Sequence, residues 1–148
     1  MSRSKLIEML THHEGRHSFV YKCPADHWTI GVGRNVDPDG GGYGLSAREV
    51  DFMLENDIEQ HHKELAKAYS WYPELDEVRQ EALIDMHFMG HTRFNKFKKM
   101  LAALAIEDYA TASAEALNSK WAREDVQSDR SQDVVHMLLH GEYRKNAP

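Results

Sequence analysis

The chain has 148 residues, enough for one domain with an apolar core, and its 41% hydrophobic and 28% charged residues exclude both a disordered segment and a membrane protein. Eighteen Lys and Arg against twenty-four Asp and Glu leave −6 at pH 7, which argues against a nucleic-acid partner held through its phosphates, and ten His are a reserve of positive charge below neutrality. A single Cys leaves no internal disulfide and no four-thiolate zinc site.

The first segment reaches His12 and Glu14 before any apolar run long enough for a signal peptide, and no later span approaches a bilayer crossing, so a cytoplasmic product is expected. Leu6, Met9, Leu10 and His13 share one helical face behind the candidate caps Ser2 and Ser4, and Gly15 is a natural stop. Glu14 is therefore read as the last residue of a short helix. Two strands are predicted next, Phe19 to Lys22 and Trp28 to Gly33, joined by Cys23-Pro-Ala-Asp-His27. Period two puts Ile30 and Val32 on one face, and Thr29, Gly31 and Gly33 on the other. Asp37-Pro-Asp-Gly-Gly-Gly-Tyr-Gly44 reads as a loop.

Ser46-Ala-Arg-Glu49 is a capping box that opens a long amphipathic helix carrying Val50, Leu54, Ile58, His61 and Leu65, broken at Ser70-Trp-Tyr-Pro73. Val78, Ala82, Met86 and Met89 mark a second helix ending at Gly90. Phe94, Phe97, Leu101 and Leu104 mark a third, Ala110, Ala114 and Leu117 a fourth, and Val134, Val135 and Leu138 a fifth with its stop at Gly141. The end, Arg144 to Pro148, reads as frayed. A β-rich part at about 16–44 followed by helices is an α+β arrangement, expected as a single domain over 1–148.

Glu14, Cys23 and Thr29 cluster round the predicted hairpin, with eight residues between the first two and five between the last pair. At a helix C-terminus the last carbonyls disfavour an ionised carboxylate, which suits a proton donor, although a solvated terminal Glu would satisfy the same pattern. The stretch Glu14-Gly15, Tyr21-Lys22-Cys23 and Thr29-Ile-Gly-Val-Gly-Arg34 resembles the active-site signature of the phage T4-type lysozymes, the endolysin muramidases. That signature is a Glu, eight residues, an Asp or in some members a Cys, five residues and a Thr, followed by an isoleucine-glycine-hydrophobic-glycine strand. The likeness continues through Arg79 to Gly90, Ser119-Lys-Trp121, Arg130 and Met137-Leu-Leu-His-Gly141, and so covers nearly the whole chain. It departs in three places: Cys23 stands where Asp is commoner, the Phe88-Met89-Gly90 segment is one residue shorter, and the stretch between Trp121 and Arg130 is longer.

The resemblance implies a lysozyme-like α+β fold, with a small N-terminal β-hairpin or sheet region packed beside a mainly helical bundle. It implies hydrolysis of the β-1,4 bond between N-acetylmuramic acid and N-acetylglucosamine in peptidoglycan. Glu14 would protonate the glycosidic oxygen while Cys23 and Thr29 handle the opposite face of the sugar. Cys23 would serve as a thiolate nucleophile or as a weaker base for water, and Thr29 would orient that water. An ionised Glu14 nearby is expected to push the Cys23 thiol upward. Arg130 corresponds to a family arginine that approaches the catalytic Glu, and Phe88 and Phe97 fall where members line the sugar cleft. Asn35, just past the strand, is an exposed polar candidate for a sugar contact. A surface Arg and core aromatics would account for Arg130, Phe88 and Phe97 without any substrate.

His12-His13, His61-His62 and the Cys23 to His27 stretch invite a metal reading, but neighbours on a helix point about 100° apart. No metal site and no cofactor are expected. The expected partner of this chain is the peptidoglycan glycan strand, with neither nucleic acid nor membrane, and the expected state is a monomer. It resembles the one-domain endolysins of phages that infect Gram-negative bacteria, held in the host cytoplasm until a holin releases them. A lytic transglycosylase, which relies on one acidic Glu and leaves an anhydro sugar, and a non-catalytic peptidoglycan-binding module stand as alternatives.

Overall fold

Gly15 sets the end of the first helix. In the computed structural model, which describes residues 3–145, α1 spans Ser4–Glu14 and stops where Gly15 takes φ 75° and returns its N–H to the Thr11 carbonyl at 2.9 Å. A Cβ at Gly15 would lie 2.9 Å from His17 Nε2, so contact as well as backbone angle requires glycine there. The helix takes no side-chain cap at Arg3, and Ser2 lies outside the described residues. No residue of α1 is buried, and Leu6, Met9 and Leu10 stay exposed.

Three antiparallel strands follow in the order β1 (His17–Lys22), β2 (Trp28–Gly31) and β3 (Arg34–Asn35). Tyr21 pairs with Thr29 and Lys22 with Trp28, with an irregularity in β1 between His17 and Tyr21, and across the next seam Thr29 pairs with Asn35 and Ile30 with Arg34. The strand expected to run to Gly33 thus stops at Gly31, and a turn through Val32 and Gly33 leads into β3. Gly31 and Gly33 both adopt φ 70°, and the chain reverses at the exposed Val32. Ile-Gly-Val-Gly alternates as a strand does, and alternation carries no sign of a positive φ, so the face predicted for Val32 is wrong.

Helix α2, Ala47–Ala68, opens on the expected capping box: Ser46 Oγ accepts the Glu49 N–H at 3.2 Å and Glu49 Oε1 accepts the Ser46 N–H at 3.0 Å. Glu49 also accepts from the Arg34 guanidinium, which ties the start of α2 to β3.

The chain divides into two compact units, the first ending at Leu54 and the second starting at Glu55. After α2 the second unit continues with a 3-10 turn at Tyr72–Glu74, then α3 (Glu77–His87), α4 (His91–Phe94), α5 (Lys98–Ala105), α6 (Tyr109–Leu117), a π turn at Trp121–Asp125 and α7 (Ser128–His140). Asp76 and Asp108 cap α3 and α6 by accepting the Arg79 and Thr111 N–H groups, each at 3.1 Å. Gly141 ends α7 in the left-handed region at φ 67°.

Two expectations fail here. The helix predicted through Phe94, Phe97, Leu101 and Leu104 is broken between α4 and α5, where the Lys98 N–H turns back onto the Lys96 carbonyl at 2.8 Å. Phe94 is buried and Phe97 packs on the core on either side of the break, so the apolar period persists where the backbone does not. The π turn had no sequence signal.

Leu65, Leu83, Met86, Phe94, Met100, Leu104 and Leu138 form the centre of this unit. Arg79 closes α7 from outside: Nε donates to the Leu138 carbonyl at 2.7 Å, Nη2 to Leu139 at 2.9 Å, and the guanidinium lies 3.5 Å from the Tyr109 ring centre. Arg144, expected to fray, donates from Nε to Asp133 at 2.8 Å, and residues 146–148 lie outside the described residues. Among the described residues no helix is long and apolar enough to cross a membrane. The architecture is α+β, a small antiparallel sheet with a mainly helical remainder, and it is lysozyme-like.

Candidate active site

The connection between β1 and β2 is organised by the main chain of one residue, His27. The Cys23 N–H donates to the His27 carbonyl at 3.0 Å, and the Asp26 N–H donates to the Cys23 carbonyl at 2.8 Å. His27 returns its own N–H to Cys23 Sγ at 3.4 Å, while Thr29 Oγ1 donates to the His27 carbonyl at 2.9 Å. Cys23 is half-buried and Thr29 is buried, and both are held from the same peptide units. The His27 N–H is the main influence that draws the Cys23 thiol below its ordinary value. Burial opposes it, and the Ala25 backbone and the Thr29 hydroxyl reinforce it. The upward push expected from Glu14 is thereby corrected: hydrogen-bond donors in the loop set the direction, and burial is what opposes them.

A second loop braces this one. Asp37, only 8% exposed, accepts the Asp39 N–H at 3.0 Å and the Gly40 N–H at 3.3 Å on Oδ1, and the Trp28 N–H at 3.4 Å on Oδ2. Burial raises its carboxyl, but the three N–H groups and the Lys22 charge together outweigh it and hold the carboxyl below the ordinary range. Asn35 Oδ1 accepts the Asp37 N–H at 2.9 Å and Nδ2 donates to the Gly40 carbonyl at 3.0 Å. Asn35 is therefore half-buried with its amide engaged in the loop, not the exposed group expected. A Cβ on Gly40 would overlap the His27 ring, so the two loops are in direct contact. Asp37 was missed as an organising residue, although Asp-Pro-Asp-Gly carries the signal, since Asp readily accepts N–H groups two and three residues on.

Glu14 reaches this region from the end of α1. A Cβ on Gly33 would stand 2.8 Å from both the carboxyl carbon and Oε2 of Glu14, so the exposed carboxylate rests against the turn that follows β2. The end of α1, the β1–β2 loop and strand β2 carry Glu14, Cys23 and Thr29 respectively, all within the first unit.

The family described as phage lysozyme matches residues 11–136. The chain belongs to the phage lysozyme family. No curated protein matches it. Membership carries a lysozyme function in general, with peptidoglycan as substrate, and the matched span includes every residue named as a candidate.

The remaining candidates lie in the second unit. Phe88 is exposed and stacks on His61, with ring centres 4.3 Å apart and planes at 29°. Phe97 meets Trp121 edge to face at 6.3 Å. Phe97 and Trp121 line a cavity of about 620 Å³ in which Arg93, Lys96, Lys98, Lys99 and Lys120 outnumber Glu115 and Asp125, a basic region in an acidic chain. Arg130 is braced on α3, donating from Nε to Asp85 Oδ1 and from Nη2 to the Asp85 carbonyl, both at 2.8 Å.

His61 and His62 do point apart, as helix geometry requires. His62 Nδ1 lies 2.8 Å from the Tyr72 hydroxyl, whereas His61 Nδ1 lies 2.7 Å from Nδ1 of His87. His87 is wholly buried, and its Nε2 is 3.0 Å from His91 Nδ1. Burial, then the neighbouring His61 and His91, push His87 below its ordinary value, with Glu64 opposing. Sequence reasoning missed this cluster because it tested histidines as adjacent pairs, and His87 arrives from another helix.

Proposed function

We propose that the chain hydrolyses the β-1,4 bond between N-acetylmuramic acid and N-acetylglucosamine, and that it lyses a bacterial host from within after release by a holin. Glu14 protonates the glycosidic oxygen as the bond breaks, and a water molecule attacks the sugar from the opposite face. The observation that carries this reading is the pairing of Cys23 and Thr29 through His27. Thr29 has one hydroxyl proton, shared between the His27 carbonyl and the Cys23 sulfur, so its oxygen keeps its lone pairs and accepts from the water. Cys23, whose ionisation is favoured by the His27 N–H, is in its thiolate form the base that takes the second proton of that water. One C–O bond forms and one breaks, the leaving oxygen carries the Glu14 proton, and solvent returns the sulfur proton to Glu14.

Phe88, with its exposed ring, and Phe97, at the basic cavity, serve as glycan contacts, and Arg130 holds the α3 end beneath Phe88 through Asp85. Asn35 shapes the loop behind Thr29 rather than touching sugar. The chain acts as a monomer.

Analysis of fragments released from sacculi tests the reaction. Free reducing ends with inverted anomeric configuration are expected, Cys23→Asp stays active, and Cys23→Ala loses most activity. Anhydro sugars together with full activity in Cys23→Ala would establish a transglycosylase using Glu14 alone. Wall binding without any released fragment would establish a non-catalytic module.

A further inference from the structure

We propose that His61, Glu64 and His87 form a binding site for a divalent transition-metal ion, with zinc the best fit, that clips α2 to the C-terminal end of α3. One ligand atom from each residue lies within 4.8 Å of the others. His61 and Glu64 are three residues apart and so share a face of α2. His87 closes the set from α3, with its Nδ1 3.8 Å from Glu64 Oε2.

The surroundings are those of a prepared ligand set. His87 carries its other ring nitrogen 3.0 Å from His91 Nδ1, a pairing that turns its Nδ1 lone pair towards His61 and Glu64. Gln60 Nε2 donates to Glu64 Oε1 at 3.1 Å, leaving Oε2 for the ion. Two imidazoles and one carboxylate match the three-ligand zinc pattern, in which water takes the fourth place. A cavity of about 460 Å³ lined by Glu64, Lys67, Ala68 and His91 admits that water.

Without an ion, His61 and His87 share one proton between nitrogens 2.7 Å apart. Tetrahedral zinc with Zn–N bonds of about 2.0–2.1 Å sets its ligand nitrogens about 3.3 Å apart. Entry of the ion therefore moves the shared proton to the far nitrogen of His61 or to solvent and opens the pair by a few tenths of an ångström. Phe88 follows His87 in sequence and stacks on His61, so the ion also fixes the ring offered to the glycan.

The test is calorimetric titration of the full chain, stripped with a chelator, with zinc sulfate, backed by competition with a chromogenic chelator. One equivalent is expected to bind, and cobalt(II) in its place should give the visible absorption of a tetrahedral site. His61→Gln and Glu64→Gln each weaken binding at least tenfold, and His91→Gln weakens it about tenfold through the orientation of His87. His87→Gln carries no weight here, because that side chain is part of the core. His136 and His140, whose rings lie 4.6 Å apart on α7, are the rival surface pair. Binding that survives His61→Gln and Glu64→Gln but falls with His136→Gln would overturn the proposal, as would the absence of any stoichiometric binding.

Discussion

Among the described residues every buried apolar one lies in the second unit, from Leu65 to Leu138, whereas the two buried residues of the first unit are Thr29 and Asp37, both polar. The second unit is held by area removed from water and tolerates imprecision in any one contact. The first is held by directed bonds and by glycines at positive φ, each of which fixes one angle or one distance. The proposed chemistry, which needs a carboxylate, a thiol and a hydroxyl in fixed relation, draws on the unit where bonds are directional, and cohesion is found elsewhere.

This division predicts that activity and stability can be lost separately. The largest effect is expected from Glu14→Gln, which keeps shape but removes the proton and should lower the lytic rate about 10²–10⁴-fold with no change in the unfolding midpoint. A variant that clears sacculi within about tenfold of the parent rate would break the comparison at its main point. Next, Phe94→Ala should cost about 3–5 kcal/mol in urea unfolding, since the ring is wholly buried, while the rate per folded molecule stays close to the parent's. A matching loss of rate would mean that the two regions are not separable.

Gly33→Ala sharpens the contrast from the other side. The φ of 70° costs an L residue about 1–2 kcal/mol, and the new methyl displaces the Glu14 carboxylate, so the rate should fall about 10²-fold for that small loss of stability. The smallest effect is on Cys23 itself. Its alkylation rate plotted against pH should have a midpoint below the ordinary thiol value, because the His27 N–H favours the thiolate, and Thr29→Val should move that midpoint upward by removing one contributor. A midpoint at or above the ordinary value in the parent would remove the base from the proposed reaction.

Helix limits were the most legible part of the fold, because they rest on local chemistry: Gly15, the Ser46 and Glu49 box and Gly141 each act through neighbours in sequence. The Gly31 to Gly33 turn and the break before α5 were not legible, since both keep the apolar period while changing the backbone. Within the candidate site the spacing of Glu14, Cys23 and Thr29 was visible, but the means of holding them was not. Cys23 and Thr29 are held by main-chain atoms of His27, which any residue but proline would supply. Glu14 is seated by the absence of a side chain at Gly33. Partnerships between distant side chains, such as Arg79 with the end of α7 or His61 with His87, leave no local pattern to read.

Because the main chain of His27, and not its ring, carries both Cys23 and Thr29, the side chain at position 27 takes no part in that pairing and is constrained by Gly40, against which it lies. The two positions should then drift together among homologues, a bulkier residue at one being tolerated only beside a slimmer one at the other.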